Sequence, residues 1–176
     1  SLVEAFLRLR ERSGLEDLRL RIAGGTPQVQ TPFLRQLRRR IAASPHAQAV
    51  EFLDAHRQPA RGDFLKSLRV LSVPARRPEA LGLFQLEAMA CGVPVVQPRL
   101  GAYPEILAAT GGGILYDDPS PEGLADALQP LLTDPEKASR YGEAGRRAVL
   151  DRFTMRAAAE RTRSAYETLC KDEEAA

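Results

Sequence analysis

The chain has 176 residues, of which 44% are hydrophobic and 27% are charged, and its formal net charge is +2 at neutral pH. These values are typical of one soluble globular domain with one sizeable core, and they give no reason to expect a nucleic-acid partner. No stretch approaches the roughly 18 apolar residues of a membrane helix, and no signal peptide is visible. Cys91 and Cys170 lack metal-ligand spacing, which indicates a reduced, cytoplasmic setting and no metal site.

The first half of the chain alternates between helical and strand patterns. Leu2, Phe6 and Leu9 place an apolar stripe on a first helix, which is expected to end near Gly14. Thr31 is a plausible helix cap because a proline follows it at the first helical position. The predicted elements are this helix, a strand at LRLRIAGG, a helix over residues 32–43, a strand at QAVEFL, a short helix over residues 61–67 and a strand at SLRVLSV.

The second half continues the alternation. It is predicted to contain a loop at residues 75–79, a helix in GLFQLEAMACG, a strand at PVV, a helix at 102–109, a strand at GILY, and helices at 121–132, 135–151 and 154–170. The predicted domain covers residues 1–170, and residues 171–176 are expected to form a frayed tail. The pattern predicts an α/β fold with a doubly wound, Rossmann-like, mostly parallel sheet and helices on both faces.

Two carboxylates stand eight positions apart around Gly82. Glu79 falls in the loop after a predicted strand, and Glu87 falls inside a helix that is expected to be largely buried, with few polar neighbours. The helix N-terminus between them favours an anion such as a diphosphate. A vicinal diol would satisfy a buried carboxylate with two charge-assisted hydrogen bonds. The alternative is that both glutamates are structural, since the helix dipole alone favours a glutamate early in a helix.

Three basic or glycine-rich segments have competing interpretations. Arg38–Arg40 are expected to lie on the solvated side of a helix and not to bind nucleic acid. Arg76 and Arg77 are expected to be solvent-exposed, although they precede Glu79 on the ligand side of the sheet. Gly24-Gly25 would suit either a close approach to phosphate or a simple turn, and the sequence leaves both open.

The run from Pro74 to Pro94 carries a specific resemblance. It contains LEAMACGVPVV, and GAYPEIL and GGGILYDDPSPEGLADALQPLL follow it. These segments are similar to the donor-binding region of retaining glycosyltransferases with the GT-B fold, and most similar to the group 1 family (glycosyltransferase family 4). The resemblance covers nearly the whole chain. Ala75 stands where the family usually has serine, and Leu81 where it usually has an aromatic residue.

The resemblance implies a role for each residue of the motif. Glu79 would be the catalytic-site residue that binds the hydroxyls of the donor sugar, and Glu87 would bind the ribose diol. The backbone N–H groups around Leu81, Gly82 and Leu83 would hold sugar hydroxyls and the diphosphate. The substrate would be a nucleotide diphosphosugar, with neither a metal nor a separate cofactor, in glycan biosynthesis.

The same resemblance implies parts that this sequence does not contain. In the family, the domain opens with a strand and a loop whose Arg and Lys clamp the donor phosphates, and an acceptor-binding domain precedes it. The 176-residue chain is therefore expected to be a fragment that is inactive by itself. Its expected partners are the donor and the acceptor-binding domain, with peripheral membrane contact of the full protein open. Two alternatives are a non-catalytic nucleotide-sugar binding domain and an epimerase or phosphorylase on the GT-B scaffold.

Overall fold

The computed structural model describes residues 2–24, 31–53 and 61–174. Helices and strands alternate along most of these residues, as the sequence predicts, and the described part of the chain finishes with three consecutive helices. The elements are α1 (Leu2–Arg10), β1 (Leu20–Ala23), α2 (Pro32–Ala42), a 3-10 turn (Ala47–Ala49), β2 (Val50–Leu53), α3 (Arg61–Lys66), α4 (Leu83–Ala90), β3 (Val95–Pro98), α5 (Tyr103–Thr110), β4 (Gly113–Tyr116), α6 (Pro121–Thr133), α7 (Pro135–Arg152) and α8 (Met155–Glu174).

All strand pairs in the described residues are parallel. β1 pairs with β2 in a register that places Leu20 opposite Val50, and β3 pairs with β4 in a register that places Val95 opposite Gly113. Helices connect the paired strands, as parallel pairing requires. The predicted α/β class is therefore confirmed.

Hydrophobic cores lie on both faces of the β3–β4 pair. Val96 packs with residues of α1 and α6, whereas its neighbour Val95 packs with residues of α4 and α5. Successive side chains of a strand point to opposite faces, so β3 contributes to both cores. All four residues of β3 are buried, and helices therefore cover this part of the sheet on both sides.

The segment SLRVLSV does not form the full strand that its β-branched residues predict. Only Leu71 forms a parallel bridge, with Val95. Its N–H donates to the Pro94 carbonyl at 3.0 Å, and its carbonyl accepts from the N–H of Val96 at 2.9 Å. The other side of the segment faces a groove, so a second ladder is lacking there and the described strands form two two-stranded sheets.

The groove separates β1 from residues 67–72 and has a volume of about 480 Å³. Leu20 and Arg21 form one wall, and apolar residues of α1 and α6 form the base. The guanidinium of Arg21 crosses the groove and donates a hydrogen bond to the hydroxyl of Ser67. One arginine side chain thus spans the interval between the two sheets.

Local capping explains where several helices begin. The Thr31 hydroxyl accepts a hydrogen bond from the N–H of Leu34 at 3.2 Å, which confirms the predicted cap of α2. Ser120 and Asp134 cap α6 and α7 in the same way, each before a proline.

α8 continues to Glu174, four residues beyond the predicted end at Cys170. None of the helices within the described ranges is long and apolar enough to cross a membrane.

Candidate functional site

The loop that carries Glu79 is attached to the start of α5 through its backbone. The N–H of Ala102 donates to the carbonyl of Glu79 at 2.9 Å. A Cβ on Gly101 would lie 2.5 Å from both the backbone nitrogen and the oxygen of Glu79, so the two loops touch directly. The Glu79 side chain remains exposed at the carboxyl end of the sheet, where ligands of doubly wound folds bind.

Gly82 introduces α4 with a left-handed backbone. Its φ is +66° and its ψ is 63°, a conformation that glycine adopts without steric cost. No side chain caps this helix, and the N–H of Gln85 is the first to bond back to the Gly82 carbonyl, at 3.0 Å. Leu81 and Leu83 have exposed side chains on either side of Gly82. The N-terminus of α4 is therefore open to an anion.

Glu87 is less buried than its apolar neighbours suggest, and the expectation of a largely buried carboxylate is wrong. Its side chain is 37% exposed, and Oε1 lies 2.7 Å from Nη1 of Arg61 at the start of α3. The buried side of α4 consists of Gln85, Leu86, Ala88 and Met89. Glu87 instead shares the outward face with Leu83, four residues earlier. This carboxylate is therefore partly exposed to solvent and paired with an arginine.

Two buried polar residues beneath the loop were not identified from the sequence. Gln85 is fully buried, and its amide donates to the Leu81 carbonyl at 2.8 Å, which holds the loop above α4. Tyr103 is also fully buried, and a Cβ on Gly82 would lie 3.1 Å from its ring. A glutamine within the apolar stretch LFQLEAM was the available signal, whereas nothing in GAYPEIL indicates that the tyrosine lies below Gly82.

Burial controls the acidity of two tyrosines near this edge. Burial raises the pKa of Tyr103, and the negative charge of Glu79 raises it further. The pKa of Tyr116, at the end of β4, is raised to about 12, first by burial and then by the neighbouring Tyr103. Both phenols are therefore neutral hydrogen-bond donors at physiological pH.

A second cavity opens at the carboxyl ends of β3 and β4. It has a volume of about 470 Å³, and Arg76, Arg99 and Tyr116 line it together with Pro74 and Pro98. Arg99 is paired with Asp117, with Nε 2.7 Å from Oδ1. Arg76 and Arg77 are exposed, which confirms the solvent-exposed interpretation.

The remaining sequence candidates belong to α2 and to the segment after β1, and one of them is outside the described residues. Arg38–Arg40 are exposed while Ile41 is buried, so the solvated-face interpretation is confirmed. Arg38 stacks on Phe52 at 4.4 Å from the ring centroid, and Arg40 pairs with Glu4. Gly24 has a φ of +142°, and Gly25 falls outside the described ranges.

The geometry defines a class of protein: a doubly wound α/β domain with an open helix N-terminus, flanked by two accessible carboxylates, at the carboxyl end of its sheet. A model of the family described as "Glycosyl transferases group 1" matches residues 1–148. The chain belongs to the group 1 glycosyltransferases, and the resemblance stated from its motifs is confirmed.

A curated relative and two solved structures illustrate the family. The chain is 32% identical over 161 residues to the GDP-mannose-dependent alpha-(1-6)-phosphatidylinositol monomannoside mannosyltransferase of Mycolicibacterium smegmatis. The match covers 88% of this chain and 40% of that protein, so the chain spans less than half of its relative's length.

Two solved structures have the same fold as this chain. The C-terminal domain of the group 1 protein LpcC from Francisella tularensis superimposes with a TM-score of 0.74 at 22% identity, covering 87% of this chain and 77% of that one. Anabaena HepE, solved in complex with UDP, gives a TM-score of 0.70 at 18% identity, covering 95% of this chain and 52% of that one. At these identities the likeness establishes the fold, which is that of GT-B glycosyltransferases.

Proposed function

We propose that this chain is the donor-binding domain of a retaining glycosyltransferase that uses a nucleotide diphosphosugar. The observation that carries the proposal is the open N-terminus of α4 between Glu79 and Glu87. An open helix N-terminus attracts a diphosphate, and a carboxylate on each side accepts hydrogen bonds from hydroxyls. A nucleotide diphosphosugar has this arrangement of groups: a sugar, a diphosphate and a ribose diol in sequence.

Each residue receives a separate task in this proposal. Glu79 accepts hydrogen bonds from the donor sugar, and the N–H groups at Leu81, Gly82 and Leu83 face the sugar and the diphosphate. Glu87 accepts from the ribose diol through Oε2, since Oε1 is engaged by Arg61. The GDP-mannose dependence in the name of the mycobacterial relative and the UDP bound to Anabaena HepE support a nucleotide-linked donor.

The chemistry expected of this domain is electrostatic. As the glycosidic bond of the donor breaks, negative charge grows on the departing diphosphate oxygen. The partial positive charge at the N-terminus of α4 stabilises that oxygen more in the transition state than in the ground state. The domain also fixes the sugar in position for an acceptor hydroxyl. The acceptor itself would be held by another part of the full protein.

The groove beside β1 bears on the domain assignment. The side chain of Arg21 reaches Ser67 across this groove, and among the described residues β1 and the Leu71 segment have no strand paired to the edges that line it. A parallel strand placed there would join the two described sheets into one. It would also connect to β1 through α1 by a right-handed crossover. The groove thus supports the expectation of a first strand in this domain.

Ligand titration followed by amide NMR tests the donor site. UDP-glucose, GDP-mannose and ADP-glucose are added separately to the isotopically labelled chain. We expect one of them to shift the amides of residues 81–87. Glu87→Gln should weaken binding of both that nucleotide sugar and its nucleoside diphosphate about tenfold, because a hydrogen bond to a charged acceptor contributes roughly 1–1.5 kcal/mol more than one to a neutral acceptor.

The controls separate the sugar from the nucleotide. Glu79→Gln should weaken binding of the nucleotide sugar and leave binding of the nucleoside diphosphate unchanged. Glu136→Gln, which alters an exposed carboxylate in the first turn of α7, should change neither. If none of the three nucleotide sugars shifts residues 81–87 at millimolar concentration, the proposed donor site is refuted.

A further inference from the structure

Tyr103 lies directly beneath the loop that carries Glu79. The tyrosine is fully buried at the first position of α5. Its ring is close enough to Gly82 that a Cβ there would lie 3.1 Å from Cε1, and it also meets the ring of Phe84 edge to face, with centroids 6.2 Å apart. The ring therefore forms the floor under the turn that leads into α4.

The hydroxyl of Tyr103 has an unusual environment for a buried group. Within the described part of the chain, this oxygen has no hydrogen-bond partner. The carboxylate of Glu79 is near enough for its charge to contribute to the raised pKa of the phenol. The hydroxyl is thus a neutral, unused donor within the electrostatic reach of the exposed glutamate above it.

Packing alone does not account for a tyrosine at this position. Leaving a buried hydroxyl unpaired costs roughly 1–3 kcal/mol, and phenylalanine would fill the same space without that cost. The backbone ties the two residues together as well, because Ala102, next to Tyr103, donates to the Glu79 carbonyl. The hydroxyl is therefore held at a fixed place relative to the Glu79 backbone.

We propose that Tyr103 is a positioning residue whose hydroxyl donates a hydrogen bond to the Glu79 carboxylate when Glu79 binds the donor sugar. The inference rests on the proposed function and adds a residue to it. One carboxylate oxygen accepts from the phenol, and the other is thereby turned toward the sugar. The hydroxyl has no part in holding the diphosphate or the ribose, which lie along α4.

The test compares sugar and nucleotide affinities in Tyr103→Phe, which keeps the ring and removes only the oxygen. The measured quantity is the ratio of the Kd of the nucleoside diphosphate to the Kd of the nucleotide sugar. The nucleoside diphosphates are UDP, GDP and ADP, and the nucleotide sugars are UDP-glucose, GDP-mannose and ADP-glucose. We expect this ratio to fall about 3- to 10-fold, the usual contribution of one hydrogen bond, while the diphosphate Kd stays within about twofold. Tyr141→Phe, a half-buried tyrosine on α7, should leave the ratio unchanged.

A double-mutant cycle decides whether Tyr103 acts through Glu79. The Glu79→Ala, Tyr103→Phe double variant should bind the sugar no worse than Glu79→Ala alone, because alanine leaves the phenol no side-chain acceptor to orient. An unchanged ratio in Tyr103→Phe, or additive losses in the double variant, would overturn the inference and leave the proposed function standing. Loss of diphosphate binding together with a much lower Tm in Tyr103→Phe would also overturn it, since Tyr103 would then be structural.

Failure of the proposed function has a different signature. In that case the unsubstituted chain binds none of the nucleoside diphosphates, and the inference about Tyr103 falls with it.

Discussion

Arg61 and Glu87 form an ion pair that joins the start of α3 to the outward face of α4, with Nη1 and Oε1 2.7 Å apart. The two side chains are 75% and 37% exposed, so water screens the pair. We expect Arg61→Gln to change the free energy of unfolding by less than about 1 kcal/mol, measured by urea denaturation.

The matched control for Arg61 is Arg163, which pairs with Glu167 on α8 and is 74% exposed. Arg163→Gln should have a similarly small effect. A loss above about 2 kcal/mol in Arg61→Gln alone would show that this pair holds α3 against α4, contrary to the expectation.

Gly101 should tolerate substitution poorly. Its φ is +56°, and an added Cβ would meet the backbone of Glu79 at 2.5 Å. Strain and overpacking together predict that Gly101→Ala lowers the free energy of unfolding by about 2–4 kcal/mol. Gly14→Ala is the control, because φ is +80° there but nothing lies within 4 Å of the added Cβ, and only the strain of about 1–2 kcal/mol applies. Equal losses in the two variants would contradict the close contact between Gly101 and Glu79.

Gly145 and Gly62 should respond to alanine in opposite directions. A Cβ on Gly145 in α7 would lie 2.9 Å from the Cα of Gly112 and from Cγ of Met89, whereas a Cβ on Gly62 in α3 meets nothing within 4 Å. Gly145→Ala should lower the free energy of unfolding by about 1–2 kcal/mol, since overpacking outweighs the gain in helix propensity. Gly62→Ala should raise it by up to about 1 kcal/mol. Thermal denaturation measures the change in stability of both variants. A stabilising Gly145→Ala would refute the tight packing of α7 against Gly112 and Met89.

Asp118 should make stability depend on pH in the acid range. The N–H of Ser120 donates to Oδ1 at 2.8 Å and its hydroxyl donates to Oδ2 at 2.6 Å, and these bonds hold the pKa of Asp118 below its ordinary value of 3.8. The stabilisation is therefore present above that ordinary value and is lost as the pH falls through the lower pKa of the folded state.

The measurement for Asp118 is Tm as a function of pH. Asp118→Asn should melt at a lower temperature than the unsubstituted chain at pH 6, and the two curves should converge once the pH falls below the lowered pKa of the folded state. A difference in Tm that remains constant across this range would contradict the assignment.

Much of the fold could be read from local chemistry. The cap at Thr31, Gly92 after α4, Pro94 before β3 and Pro121 at the start of α6 are signals that act within a few residues, and they predict the helix bounds well. The strand at SLRVLSV was overestimated because a ladder depends on the neighbouring strand and not on the residues alone. Its outer side faces the groove, so only Leu71 forms a bridge.

The site was predicted less completely because it depends on contacts between distant segments. The sequence identified Glu79 and Glu87 by their spacing, but it could not show that Arg61 reaches Glu87. An apolar helix gives little information about which face is outward, and the neighbouring α3 decides it. Tyr103 was missed for the same reason, since its position below Gly82 arises from the packing of α5 against α4.

The groove beside β1 also affects how the chain opens. Sheet hydrogen bonds in the described residues connect β1 only to β2, while β3, β4 and Leu71 form a separate network. Sheet bonding therefore does not couple the β1–β2 pair to the β3–β4 pair, and we expect the first pair to open while the second stays closed. Amide protons of β1 and β2 should consequently exchange with solvent deuterium at a lower free-energy cost than those of β3 and β4. The proposed donor site at α4 belongs to the half that we expect to exchange slowly, so the loop around Gly82 is attached to the half with the higher expected free energy of opening.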